Sequence, residues 1–383
     1  METTSLFFSA EHEAFREQLR RFVQKEISPH VETWEEAGEV PRSLYTKAAE
    51  AGILGIGFPE EWGGFPGDRF HAVLVQQELS RGGAGGVVAA LLSHTISLPA
   101  VAREGSRELQ ARVLPPVLAG EKIAALACTE SAGGTDVSGI GTTARREGDH
   151  YVLNGEKTFI SSGMRADFFV VVARTGGEGS RGLSLILVEG DVPGLSRAPL
   201  KKTGWLSSDT ATLFFDDVRV PVTNLIGTEN AGFQALAANF NDERLGMAAS
   251  SIAFARLAYE EALDWARMRE TFGKPIVEHQ VIRHKLVDMM QAVSASQAYL
   301  ERVAWQMDQG HDAVADVCML KNQATKTLAF CASEAVQILG GAGYLRGCNV
   351  ERIYREVKVN AIGGGTEEIL KELPARRLGF YVR

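Results

Sequence analysis

The hydrophobic period of this chain changes twice, which rules out a fold built from one kind of layer. Up to about residue 120, apolar side chains recur every three or four positions, as on a buried helix face. Between about 121 and 230 they fall into short runs separated by Gly, Asp, Asn and Pro, and from Gly232 the helical period returns. The pattern predicts an α+β protein of three units: an N-terminal helical domain over 1–120, a middle β domain (barrel or sandwich) over 121–230, and a C-terminal helical bundle over 231–383. A chain of 383 residues is also longer than one core usually serves.

Within the first unit, residues 8–37 read as helix with Ser9 as cap and a stop near Pro29; further helices are expected from Pro41 to near Gly52, over 70–79 and over 107–119. The stretch GGAGGVVAALL over 82–92 is built from tiny residues, which either line a roomy cavity or let elements pack closely. Strands are expected at 123–128, in a hairpin turning at Gly148-Asp149, and at 168–173, 183–188 and 211–215. Helices follow near 232–271, 276–308, 312–339 and 349–361. The first of these carries an Ala-rich stripe (Leu245, Ala248, Ala249, Ile252, Ala253, Leu257, Ala258) and should break at Gly273, with Pro275 beyond.

Composition narrows the function classes. With 40 Lys+Arg against 48 Asp+Glu the formal charge is −8, which argues against a nucleic-acid binder. Cys128, Cys318, Cys331 and Cys348 form no CxxC, and no histidine pair makes an HxxxH or HExxH, so no metal centre is expected and a reduced, cytoplasmic compartment is. No signal peptide and no apolar run of membrane-crossing length is visible, so no membrane insertion is expected. The absence of GxGxxG after a strand, of GxxxxGKS/T and of GxSxG argues against the commonest nucleotide and hydrolase sites.

Several polar positions could carry chemistry. Glu243-Arg244 opens the Ala-rich helix, where a carboxylate is either dipole-stabilised or a functional base. Thr129 and Thr135 flank a Gly-rich turn whose backbone amides suit an anion or a carbonyl. Phe159 and Ser161 would share one strand face, an aromatic platform beside a hydroxyl. Gly340-Gly341 and Gly363 to Gly365 end helices, where glycine serves either as a cap or for close approach to a ligand. Glu356 reads as a solvated helical charge; Glu367 and Glu368 lie near the second glycine cluster.

Seven segments in order, ACTESAGGTDVSGIGTTA (127–144), YVLNGEKTFISSG (151–163), FFDDVRVP (214–221), DERL (242–245), RETFGKPIVEHQ (269–280), AVQILGGAGY (335–344) and YREVKVNAIGGGTEEI (354–369), resemble the flavin-dependent acyl-CoA dehydrogenase family. The resemblance spans essentially the whole chain. It implies the same three domains, the last a four-helix bundle, assembled as a homotetramer of paired dimers, with FAD between the β domain and the C-terminal helices. It also implies that Thr129 and Ser161 bond the flavin ring, that Phe159 packs on it where tryptophan is usual, and that Thr135 contacts the CoA moiety. Arg269, Phe272 and Gln280 would reach the pyrophosphate and adenine side of a neighbour's FAD, together with Gln337, Gly340 and Gly341. Thr366 and Glu368 would approach the diphosphate and ribose; Glu368, where glutamine is common, must turn from phosphate or accept from a ribose hydroxyl.

One departure decides the branch. Most members place the catalytic glutamate directly before a Gly-Thr pair, and this chain has Gly364 there. A branch including the long-chain and isovaleryl enzymes places it at the start of the central helix, which Glu243 fills. The resemblance then implies that Glu243 removes the substrate's α-proton while a hydride leaves the β-carbon for the flavin. The Gly364 amide would bond the thioester oxygen, and Arg244 would orient the helix start beside the substrate. The implied reaction is α,β-dehydrogenation of a medium- or long-chain or branched, including terpenoid, acyl-CoA in β-oxidation, with an electron-transfer flavoprotein as acceptor. An isovaleryl-like enzyme, an acyl-CoA oxidase and a decayed scaffold are the alternatives.

Overall fold

In the computed structural model, which describes residues 5–65 and 67–381, Ser9 starts the first helix by accepting the His12 amide while the His12 ring accepts the Ser9 amide. Helix α1 (Ala10–Phe22) passes through a wider π turn at Val23–Ile27 and a short 3-10 turn into α2 (Val31–Ala37). Pro29 therefore re-aims the helix instead of ending it, because its missing N–H falls in the opening turn of a new segment. Next come α3 (Arg42–Glu50), α4 (Arg69–Ser80) with Asp68 as cap, α5 (Gly85–Leu91), α6 (His94–Glu104) and α7 (Arg107–Leu118).

The small residues before and within α5 serve close packing. A Cβ on Gly83 would lie 2.1 Å from Asn349 Oδ1, on Gly85 2.2 Å from Trp205 Nε1, and on Gly86 2.4 Å from Ser207 Oγ. No cavity opens at these three positions. Contrary to expectation, one stretch, Gly85–Glu104, is long and apolar enough to cross a membrane. It is α5 and α6 together, 72% buried inside the protein, as core helices are.

The strands are β1 (Ala124–Ala127), β2 (Thr143–Glu147), β3 (His150–Ser161), β4 (Phe168–Arg174), β5 (Leu183–Glu189), β6 (Leu195–Pro199), β7 (Thr210–Pro221) and β8 (Leu225–Ile226). They run β6-β7-β3-β2-β4-β5-β8, with β1 parallel to β4. The Gly148-Asp149 turn joins β2 to β3 as expected, with Gly148 at φ 63°. β4 reads FFVVVA with every one of those side chains buried, since β1 and β5 flank it and helices cover the sheet. β3 pairs antiparallel with β7 along its length, with register shifts after Leu153 and after Lys157.

The C-terminal unit holds α8 (Gly232–Ala237), α9 (Phe240–Met268), the small hairpin β9 (Glu270–Thr271) and β10 (Lys274–Pro275), then α10 (Gln280–Asp308), α11 (Val314–Leu339), α12 (Asn349–Ile362) and α13 (Ile369–Arg377). The helix expected over 232–271 is interrupted at Asn239, whose amide Nδ2 donates to the Thr95 carbonyl at 3.1 Å. It also ends at Met268, before Gly273, because Phe272 (φ 51°) and Gly273 (φ 77°) make the left-handed turn of the hairpin. Helix α9 is the axle of the bundle, with Ala248, Ala249, Ile252, Ala255 and Ala258 unexposed among its neighbours.

Candidate active site

Glu243 lies in the first turn of α9, its amide donating to the Asn239 carbonyl at 3.2 Å. Desolvation raises its carboxyl from 4.5 to about 7, partly offset by the charges of Arg244 and Lys321. A carboxyl titrating there is half ionised at neutral pH and suited to general-base work. Arg244 is buried, stacks 5.4 Å above the Phe240 ring and donates from Nε to the Gly364 carbonyl at 3.3 Å. It thereby ties the start of α9 to the turn after α12.

That turn explains the departure in the last motif. Gly364 (φ +64°) and Gly365 (φ +105°) are both left-handed, a conformation costly for side-chain-bearing residues. A Cβ on Gly364 would point to 3.5 Å from Glu243 Oε1 and 2.7 Å from Met247 Sδ. The side chain missing from Gly364 would thus enter the space that the Glu243 carboxylate and the Met247 thioether occupy. Met247, four residues after Glu243 on the same face, carried no sequence signal beyond that spacing.

The β domain brings a second wall. The Glu243 charge reaches the Cys128 thiol, just past β1, which puts half-buried Thr129 near the same cleft. The loop after Thr129 is anchored by Glu130, which accepts the amides of Gly141 (2.7 Å) and Thr142 (2.9 Å) and pairs with Lys157 Nζ at 2.7 Å. Lys157 is wholly buried and also donates to the Cys128 carbonyl at 3.0 Å. The Thr158 amide donates to Thr129 O at 2.8 Å, joining β3 to that loop. Phe159 does not follow simple alternation with Ser161. A bulge places it at φ 59° and leaves the residue 68% exposed, while half-buried Ser161 stays paired with Thr210. A strained backbone holding a bare aromatic ring is a feature of ligand platforms. Thr135 stands exposed in the same Gly-rich loop.

Thr366 is half-buried just past the glycine turn, and Glu368 is exposed at the start of α13. Arg269, Phe272 and Gln280 are exposed at the far end of α9. The 25 residues from Glu243 to Met268 span about 38 Å of helix, so the chain does not bring this trio to Glu243. Gln337, Gly340 and Gly341 are exposed at the end of α11, and no atom of the described residues lies within 4 Å of where a Cβ on either glycine would stand.

Among the other carboxylates, Glu356 is not the solvated charge expected. It is 4% exposed, accepts the amides of Gly85 (2.8 Å) and Trp205 (2.9 Å), and is raised to about 7 by burial and by the nearby Glu35 charge. It clasps three domains. Glu367 pairs with Lys326 and Lys371, which lower it to about 2. Among the described residues, His12, Asp68 and His71 bring ligand atoms within 4.8 Å of one another. Yet His12 Nδ1 faces the Ser9 amide at 3.0 Å and must accept, so the proton sits on Nε2, bonded to Asp68. Coordination at Nε2 would move that proton to Nδ1 against the Ser9 N–H, which makes this cluster a capping network.

Comparison with known proteins agrees with this architecture. Family models for the acyl-CoA dehydrogenase N-terminal, middle and C-terminal domains match residues 9–121, 125–218 and 230–379. The mitochondrial long-chain specific acyl-CoA dehydrogenase of Sus scrofa is 36% identical over 97% of this chain and 87% of its own. The mitochondrial isobutyryl-CoA dehydrogenase of Bos taurus is 33% identical over 98% and 90%. The crystal structure of an acyl-CoA dehydrogenase from Geobacillus kaustophilus superposes with a TM-score of 0.95 at 36% identity, covering 98% of this chain and all of that one. The three-domain order, the glycine turn opposite Glu243 and these full-length matches lead to one conclusion: the chain belongs to the acyl-CoA dehydrogenase family of FAD-dependent oxidoreductases.

Proposed function

We propose that the protein oxidises a medium- or long-chain or branched acyl-CoA, terpenoid chains included, to the trans-2-enoyl-CoA and passes the electrons to an electron-transfer flavoprotein. The observation that carries this reading is the Glu243 carboxyl, raised to about 7 and lying 3.5 Å from where a Gly364 side chain would begin. Two backbone positions give access to one reactive volume, and this chain supplies its base from α9. The long-chain relative supports the substrate class. The filled glycines before and within α5 do not, and chain length rests on the relatives alone.

The residues present fit FAD. Phe159 offers an exposed ring on a left-handed backbone, Thr129 and Ser161 offer hydroxyls, and Gly340-Gly341 leaves room for close approach. Bound FAD supplies the hydride acceptor. Glu243 takes the α-proton onto its carboxylate; the Gly364 amide stabilises the thioester oxygen as charge develops there. Arg244 keeps the turn and the base in register. Thr366 and Glu368 approach the ribose and diphosphate, and Thr135 meets the CoA. The exposed Arg269, Phe272 and Gln280, with Gln337, are assigned to the cofactor of a second copy within a homotetramer. Phe272 is 97% exposed, and Tyr344 85%, as unassembled interface residues are.

The test is anaerobic titration of the yellow protein with saturated straight and branched acyl-CoAs while the flavin band is followed. Bleaching by one class and not another fixes the substrate; rapid reoxidation by oxygen favours an oxidase. Glu243→Gln should retain FAD and ligand yet lose roughly a hundredfold or more of the reduction rate. Undiminished reduction in that variant would overturn the assignment of the base.

A further inference from the structure

Lys321 is a buried cation for which the reaction above has no use. It lies on the inward stripe of α11 among Val317, Cys318, Leu320, Ala324 and Leu328, with no solvent exposure. Burying an ammonium is costly, and where a lysine only fills space an apolar residue does so at less cost. Its Nζ donates to the Gly365 carbonyl at 2.8 Å. That carbonyl belongs to the Gly365–Thr366 peptide, and in a trans peptide the N–H points opposite to the C=O. Lys321 therefore also sets the direction of the Thr366 amide.

The turn needs such an anchor. Two left-handed glycines in succession have little intrinsic preference for one conformation. Three donors hold the segment: Arg244 on Gly364 O at 3.3 Å, Lys321 on Gly365 O at 2.8 Å, and Asn322 Nδ2 on Glu367 O at 3.0 Å. The charged and titratable groups that act on Glu243 are Arg244 on its own helix, Lys321 from α11 and Cys128 past β1, while Cys318 from α11 and Glu367 before α13 act on Lys321. Arg244 and Lys321 are the cations among them.

We propose that Lys321 is a positioning residue for the dehydrogenation: its ammonium anchors the Gly364–Thr366 turn beside Glu243. The proposal rests on Glu243 as the base. Burial lowers Lys321 to about 8, and the Glu243 charge is the largest influence opposing that fall. On Glu243 itself Arg244 is the larger favourable charge and Lys321 the second, so removing the lysine should still make the base harder to ionise.

The experiment follows anaerobic flavin reduction against pH in the holoenzyme for wild type, Lys321→Met, Lys321→Gln, Lys321→Arg and Glu243→Gln. Flavin binding by the apoproteins and amide hydrogen exchange of the segment 363–367 are measured in parallel. In Lys321→Met the acid limb should move up by on the order of one pH unit, slowing reduction at neutral pH roughly fivefold, and the turn should exchange faster. Lys321→Gln, which keeps a donor without the charge, should show the same shift of the limb with smaller loss of protection. Lys321→Arg should return the limb toward wild type. Should Lys321→Met fail to fold, Lys321→Gln decides. A Lys321→Gln profile overlaying wild type, with reduction lost in Glu243→Gln, overturns the role of Lys321 alone. Undiminished reduction in Glu243→Gln overturns the base assignment and the proposal with it.

Discussion

Glu243 should impose a pH dependence with a definite sign. In the proposed role the ionised form takes the proton, and burial raises its titration from 4.5 to about 7, so kcat/KM should fall as pH drops through about 7. The same shift acts on stability in the opposite sense. The folded chain holds this proton more tightly than the unfolded chain, so the contribution is complete below pH 4.5 and is lost as pH rises through about 7. At Gly364, alanine meets both a left-handed backbone and the Met247 sulfur. Gly364→Ala should destabilise by about 1–2 kcal/mol in thermal or urea unfolding, and it should slow flavin reduction by displacing Met247 toward the base. Motifs of fixed spacing single out Glu243 and Gly364 in the sequence, and the structure brings the two positions together. Lys321 was not legible there, because a lysine in an apolar helical stripe looks the same whether it snorkels to solvent or, as here, is buried against a carbonyl from a remote turn.

Among elements, α5 shows how a local pattern can be read two ways until its neighbour is known. Tiny residues allow a cavity or close packing, and Trp205 and Ser207 arriving from the β domain decide for packing. Gly85→Ala should therefore cost about 1–3 kcal/mol by overpacking against Trp205 and leave the preferred acyl length unchanged, measured by melting and by the same panel of thioesters. The long helices and the strands of the middle domain other than β6 and β8 were legible because period and punctuation agree there. The bulge at Phe159 and the early end of α9 were not. Both depend on non-glycine residues at positive φ, which composition does not announce.

Across the whole molecule, the junction of the three domains runs through Glu356 and Glu35. Glu356 accepts amides from α5 and from the loop before β7, and Glu35 accepts the Ser207 amide while Arg355 approaches it at 3.4 Å. With Glu356 raised to about 7, its contribution to stability is present below pH 4.5 and lost as pH rises through about 7. Glu356→Gln should flatten the melting temperature against pH across that window. The domain order was legible from period alone, whereas this clasp was not, since its partners come from remote parts of the sequence.

The length of α9 has a genetic consequence. It carries Glu243 at one end and delivers Arg269 at the other, about 38 Å away, where the arginine is assigned to a neighbouring subunit. A chain lacking the base and a chain lacking the arginine would then be defective for different sites. Glu243→Gln and Arg269→Ala, each inactive as a pure assembly, should complement one another when co-expressed. The mixed pair restores one intact site, formed by the glutamate of one chain and the arginine of the other.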